Sequence, residues 1–212
     1  MRKIINNMNF NSFWQSPTLM TWLSYFVRAL SLLVVLPMIL TKFTEAEVSL
    51  WYLFSSVIVL SGLVDFGFRA TFTRIISFAY TGASHIGVFQ GNKELIDNNS
   101  NWLLIEKIFS SMKKIYMLLS ILIFFFMISF GTWAMEKPIS LVSNYNNPWV
   151  AWTIIVTTTI IKFYGTLYQN YLEGLNRIAL VRRVESMVSF GLIISSIIVL
   201  FYGGKLLELV II

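Results

Sequence analysis

The sequence predicts an all-α, polytopic membrane protein: a helical bundle of five complete transmembrane helices and the start of a sixth. Three observations predict it. Apolar stretches of about 20 residues recur along the chain. Hydrophobic residues make up 57% of the sequence and charged residues only 12%, about half the charge of a soluble domain. The Lys and Arg residues also fall largely on one side of the stretches when the chain is threaded back and forth. There are no cysteines, so neither a disulfide framework nor a thiolate metal site is available.

Taken in order, residues 1–18 read as a polar cytoplasmic N-terminus. Arg2 and Lys3 are followed by Asn6, Asn7, Asn9 and Asn11, not by the apolar core and cleavage site of a signal peptide. Spans are expected at about 19–40, 50–70, 115–134, 150–172 and 187–202, each near the length that crosses a hydrocarbon core at about 1.5 Å per residue. A sixth begins at Leu206 and is cut off at Ile212. Residues 71–114 form a long cytoplasmic connection. It holds Gly82, Gly87 and Gly91, the polar run Asn92 to Asn101, and then Trp102, Ile105, Phe109 and Met112 at helical spacing opposite Glu106, Lys107, Lys113 and Lys114. This pattern predicts an amphipathic helix on the inner membrane surface leading into span three. Phe10, Phe13 and Trp14 are expected to anchor the N-terminal segment in the same way. The chain reads as one membrane domain over residues 1–212.

With the N-terminus inside, eleven cations are cytoplasmic: Arg2, Lys3, Arg69, Arg74, Lys93, Lys107, Lys113, Lys114, Arg177, Arg182 and Arg183. Three are outside, Lys42, Lys137 and Lys205. This bias orients the chain. It also accounts for the formal charge of +6 without nucleic acid as a partner.

Two cations remain, and both lie inside spans. Arg28 is nine residues into span one, roughly 14 Å from its inner end, and Lys162 is twelve residues into span four, roughly 18 Å from its outer end. A charge near the midplane costs at least about 2.5–3.5 kcal/mol to insert, so it is expected to face a protein interior or water and to serve a function. Polar stripes accompany both. Thr21, Ser24, Tyr25, Arg28 and Ser31 follow one face of span one; Thr158, Thr159, Lys162, Thr166, Gln169, Asn170 and Glu173 follow span four. Asp65 and Arg69, four apart near the end of span two, are spaced to pair. The Ser and Thr residues taken singly suit helix–helix hydrogen bonds. Arg28 and Lys162 suit an anionic ligand, a phosphate, pyrophosphate or acidic sugar, bound by an Arg fork and a compact Lys charge. The structural alternative is that both cations pair with Asp65 and Glu173. The candidate cavity-lining residues are therefore Arg28, Lys162, Ser24, Tyr25, Asp65, Arg69, Gln169 and Asn170.

No catalytic constellation accompanies them. His85 stands without a partner at metal-ligand spacing. Asp65-Phe66-Gly67 matches the kinase magnesium tripeptide only by chance, without the glycine loop or catalytic loop. A Walker loop is absent. No metal and no cofactor are expected.

Two segments resemble a known family. Gly62 to Ala83, GLVDFGFRATFTRIISFAYTGA, is similar to the end of the second helix and following inner segment of the O-antigen and capsule polysaccharide flippases in the multidrug/oligosaccharidyl-lipid/polysaccharide exporter superfamily. Tyr171 to Ser186, YLEGLNRIALVRRVES, resembles their inner loop after the fourth helix. The short acidic outer loop TKFTEAEVSLW fits as well. The resemblance implies a two-lobed bundle around a cationic cavity and alternating access. Its substrate would be undecaprenyl-pyrophosphate-linked sugar, moved across a bacterial inner membrane. Arg28 and Lys162 would line the first lobe's side. The chain is about half the length of a family member, so a second lobe or second copy is expected as partner, beside membrane lipids, the lipid-linked oligosaccharide and the polysaccharide polymerase machinery. Two other functions stay open: a membrane transferase acting on the same lipid-linked sugar, using Asp65 and His85, and a non-transporting membrane scaffold.

Overall fold

A computed structural model of the chain describes residues 14–65, 67–82, 100–142 and 146–212. The expectations for Phe10, Phe13, His85, Gly87, Gly91 and the polar run over 92–99 lie outside these residues. The described chain is all-α, with no strand among the described residues. Helix α1 covers Pro17–Lys42, α2 Glu45–Gly62, α3 Phe68–Tyr80, α4 Trp102–Phe126, α5 Thr132–Ser140, α6 Asn146–Gly174, α7 Ile178–Phe201 and α8 Leu206–Ile211. A single 3-10 turn, Leu63–Asp65, follows α2, and one turn of π-helix, Met127–Gly131, joins α4 to α5.

Five of these segments, among the described residues, are long and apolar enough to cross a membrane: Pro17–Lys42, Glu45–Asp65, Trp102–Ser140, Asn147–Gly174 and Ile178–Phe201. The protein is a multi-pass membrane protein of helical-bundle class. Local chemistry sets the ends. Ser16 caps α1, accepting from the Leu19 N–H, and Pro17 takes the first position, where its missing N–H costs nothing. Thr44 and Glu47 form a reciprocal capping box at α2. Asn101 accepts from the Leu104 N–H at 3.0 Å to begin α4.

The surface helix expected over Trp102 to Lys114 is not a separate element. It is the first part of one 39-residue helical segment, Trp102–Ser140, about 58 Å long against a hydrocarbon core of about 30 Å. The apolar positions meant for the membrane surface are used for protein packing. Ile105 and Met112 are buried, Phe109 lies against Tyr168 and Tyr171 of α6, and Trp102 meets Tyr80 edge-on. The partner face comes from α3, a helix missing from the expected spans, whose Phe72, Ile76 and Ala79 are buried.

The π turn has a packing reason. Ile123, Met127, Gly131, Met135 and Ile139 are all buried at four-residue steps, which would drift about 40° per step around an α-helix. The wider turn takes up the drift and keeps the stripe on one face. At that turn Gly131 admits the Trp152 indole, which a Cβ would meet at 2.8 Å. The same indole stacks on Phe54 and donates to Thr132 Oγ1 at 3.2 Å.

The chain forms two compact units: the described residues of Met1–Val48 with Arg177–Ile212, and those of Ser49–Asn176. Within the first, α1 and α7 run parallel, since Ser24 meets Glu185 and Lys42 reaches the Leu200 carbonyl. Within the second, the segment Glu45–Asp65 and α6 run in one direction, with Phe54 beside Trp152 and Asp65 linked through Tyr116 to Asn170. Helix α4 runs against α6, with Phe109 beside Tyr171 and Tyr116 beside Phe163. The two described spans of the first unit are thus parallel, and in the second unit Trp102–Ser140 opposes both Glu45–Asp65 and Asn147–Gly174.

Close approach of α3 to α6 depends on Gly174, where a Cβ would stand 2.7 Å from Ile76 side-chain carbons and 3.1 Å from the Thr73 carbonyl oxygen. Gly174→Ala should lower stability by about 1–3 kcal/mol, while Gly165→Ala, with nothing within 4 Å, should not. Thermal unfolding of the two variants in detergent, followed by circular dichroism, separates them.

Candidate functional site

The sequence-predicted site residues fall into two clusters, one in each unit, and an uncovered remainder. In the first unit Glu185 of α7 gathers the donors. Its Oε2 accepts from Arg182 Nη1 at 2.8 Å and Ser24 Oγ at 3.3 Å and forms an ion pair with Arg28 Nη2 at 3.2 Å. Ser24 is buried, the Glu185 side chain is 12% exposed and the Arg28 side chain 51%. Neither acid proposed for Arg28 is its partner. Asp65 and Glu173 belong to the other cluster. The reason is the start of α7: the fifth span was expected to begin near Met187, but the helix begins at Ile178, which places Glu185 two turns inside it. Arg28 thereby directs its charge toward the N-terminal ends of two parallel helices, away from the midpoint of α1. Arg183, next to this cluster, donates to the Trp14 carbonyl and lies over the Trp14 ring at 5.3 Å.

The second cluster ties four segments of the second unit. Tyr116 of α4 donates its hydroxyl to Asp65 Oδ1 at 2.7 Å and accepts from Asn170 Nδ2 of α6 at 2.6 Å. Asp65 Oδ2 accepts from the Arg69 backbone N–H at 3.1 Å, and the Arg69 guanidinium donates instead to Glu173 Oε1 at 2.7 Å. The side-chain pair expected between Asp65 and Arg69 does not form, because the helix breaks between them. Gly67 takes a left-handed φ of 79°, which glycine adopts without strain, so the four-residue spacing does not run along one helix. Asp65 acts as a cap for α3. Asn170 is fully buried, and Thr73 donates to its carbonyl at 3.5 Å.

The side chains of Tyr25, Lys162 and Gln169 join neither cluster and make no hydrogen bond or ion pair among the described residues. The span-four stripe splits around the helix. Thr159 and Asn170 are buried within the unit, while Thr158, Lys162 and Tyr168 stay exposed and Thr166 and Gln169 partly so. Three of the six Ser and Thr residues in the two stripes bond backward within their own helix: Thr158 donates to the Ile154 carbonyl, Thr166 to Lys162 and Thr21 to Pro17. Ser24 donates to Glu185 instead.

Three residues that organise these clusters were not in the sequence-derived set: Glu185, Arg182 and Tyr116. Arg182 and Glu185 are spaced three apart, a helical pairing legible once α7 is extended. Tyr116 carried no such signal, as one aromatic in an apolar run. No family model, curated protein or solved structure matches the chain.

Tyr116→Phe keeps the ring and its contacts with Phe72 and Phe163 but strands Asp65 Oδ1 and Asn170 Nδ2. A loss of about 1–3 kcal/mol is expected, read as a lower unfolding temperature in detergent.

Proposed function

We propose that the chain is a transporter, or part of one, that flips undecaprenyl-pyrophosphate-linked oligosaccharide across the bacterial inner membrane, with its N-terminus in the cytoplasm. Lys162 carries this reading. It is exposed on a face of α6 turned from the packed side of its unit and makes no ion pair among the described residues. It lies twelve residues from the nearer end of the helix, roughly 18 Å, too deep for a four-carbon stem to reach the membrane surface. A lone ammonium held there favours water or an anion as its neighbour.

A pyrophosphate-linked lipid supplies that anion at membrane depth. Gln169, on the same helix as Lys162, offers an uncommitted side-chain amide for sugar hydroxyls. In the first unit, taken by itself, Arg28 and Ser24 offer a cation and a hydroxyl, and Tyr25 a further hydroxyl. The segments Gly62 to Ala83 and Tyr171 to Ser186 lend support through their resemblance to polysaccharide flippases. The helix directions within each unit are those of a protein that alternates sides. A second lobe or second copy completes the substrate path, and the polymerase that consumes the flipped unit is the natural neighbour.

In cells, Lys162→Ala should reduce surface polysaccharide at least tenfold and Lys162→Arg should retain part of it, measured by complementation of an export-deficient strain. Unchanged polysaccharide in Lys162→Ala would remove the proposal. Because the chain lacks cysteine, orientation can be read directly. Lys137→Cys should react with an impermeant maleimide added outside intact spheroplasts, and Lys107→Cys only after they are opened.

A further inference from the structure

The donors around Glu185 have the form of an anion site already filled by the protein itself. All three act on one oxygen, Oε2, and the other carboxylate oxygen takes no bond among the described residues. The three groups converge on one atom, Ser24 and Arg182 by hydrogen bonds and Arg28 by its charge, much as guanidinium and hydroxyl groups surround a phosphoryl oxygen. The attachments are unequal. Arg182 is three residues from Glu185 on the same helix and makes the shorter contact. Arg28 comes from α1, contacts at 3.2 Å and is half exposed. Arg28 is therefore the member that can turn to another anion without unwinding a helix.

We infer that Glu185 is an internal competitor for the phosphoryl oxygen of a diphosphate: its carboxylate occupies Arg28 and Ser24 when no ligand is present and is displaced from them when a diphosphate binds. The inference rests on the proposed transport of a pyrophosphate-linked lipid and adds a residue that sets affinity for it. Displacement also breaks a tie between α1 and α7, so occupancy of the site and the grip between these two helices oppose each other. A weakened hold on the headgroup follows, which suits a carrier that has to release what it binds.

The test uses the full chain in nanodiscs of zwitterionic lipid and equilibrium dialysis with radiolabelled inorganic pyrophosphate. Glu185→Gln should bind at least fivefold more tightly than the unsubstituted chain. Glu185→Asp, which keeps the charge but shortens its reach, should fall between them. Adding Arg28→Ala to Glu185→Gln should abolish the gain. Undecaprenyl pyrophosphate in the same nanodiscs should compete with the label if the ligand is a lipid headgroup; label retained in its presence with the same variant order assigns the site to free diphosphate. Circular dichroism establishes that each variant is folded. Binding by folded Glu185→Gln and Glu185→Asp that equals or falls below that of the unsubstituted chain overturns the inference, as does absence of binding in every variant. The transport reading fails separately, through unchanged export in Lys162→Ala.

Discussion

A backbone group that enters hydrocarbon has to find its hydrogen-bond partner inside the protein, because no water is there to replace it. The rest of this structure follows from that constraint. It makes every described crossing segment a helix, and it requires the irregular turns to close their own bonds. The turn at Leu63 to Gly67 closes through Asp65, whose carboxylate takes the Arg69 N–H. The π turn is accompanied by Thr132, whose hydroxyl reaches back to the Met127 carbonyl while it accepts from Trp152. The same preference accounts for Thr21, Thr158 and Thr166 in the polar stripes. A hydroxyl in a membrane helix has a carbonyl one turn behind it, so polarity in the sequence need not signal a wet surface.

Charged side chains are the second tier, and the structure treats them in three ways. Arg69 is matched by one acid within its unit. Arg28 shares an acid with Arg182. Lys162 is given none among the described residues. These differences carry functional weight because each step leaves the cation less compensated. A fully matched pair contributes orientation and folding specificity. A shared acid contributes an exchangeable bond. An unmatched ammonium contributes affinity for whatever anion comes near it.

Much of the architecture was legible in the sequence because the membrane imposes a coarse and strong pattern. The apolar stretches from Leu19 to Leu40 and from Val150 to Leu172 sit within observed helices. Helix ends were less legible. The start of α7 was lost because Arg182 and Arg183 look like loop residues until their partners, Glu185 and the Trp14 carbonyl, are known. Helix α3 and the first part of α4 were obscured for the opposite reason. Amphipathic patterns that pack against protein look the same in one dimension as patterns that rest on a lipid surface. The pairing of Arg28 was hidden by distance, since Ser24 and Glu185 are 161 residues apart, and no local spacing rule reaches that far.

The parallel pairing of α1 with α7 bears on how the protein is made. The second unit is built from an unbroken run of chain, Ser49–Asn176, so its helices can dock as they leave the ribosome. Helix α1 is synthesised first, yet its partner in the same unit is the fifth crossing segment. During that interval Arg28 sits in the bilayer before Glu185 exists. Early in biogenesis it depends on snorkelling, thinned lipid or a chaperoning insertase to remain in place. The charge that ties α1 to α7 in the finished protein is thus the one that makes nascent α1 hard to insert.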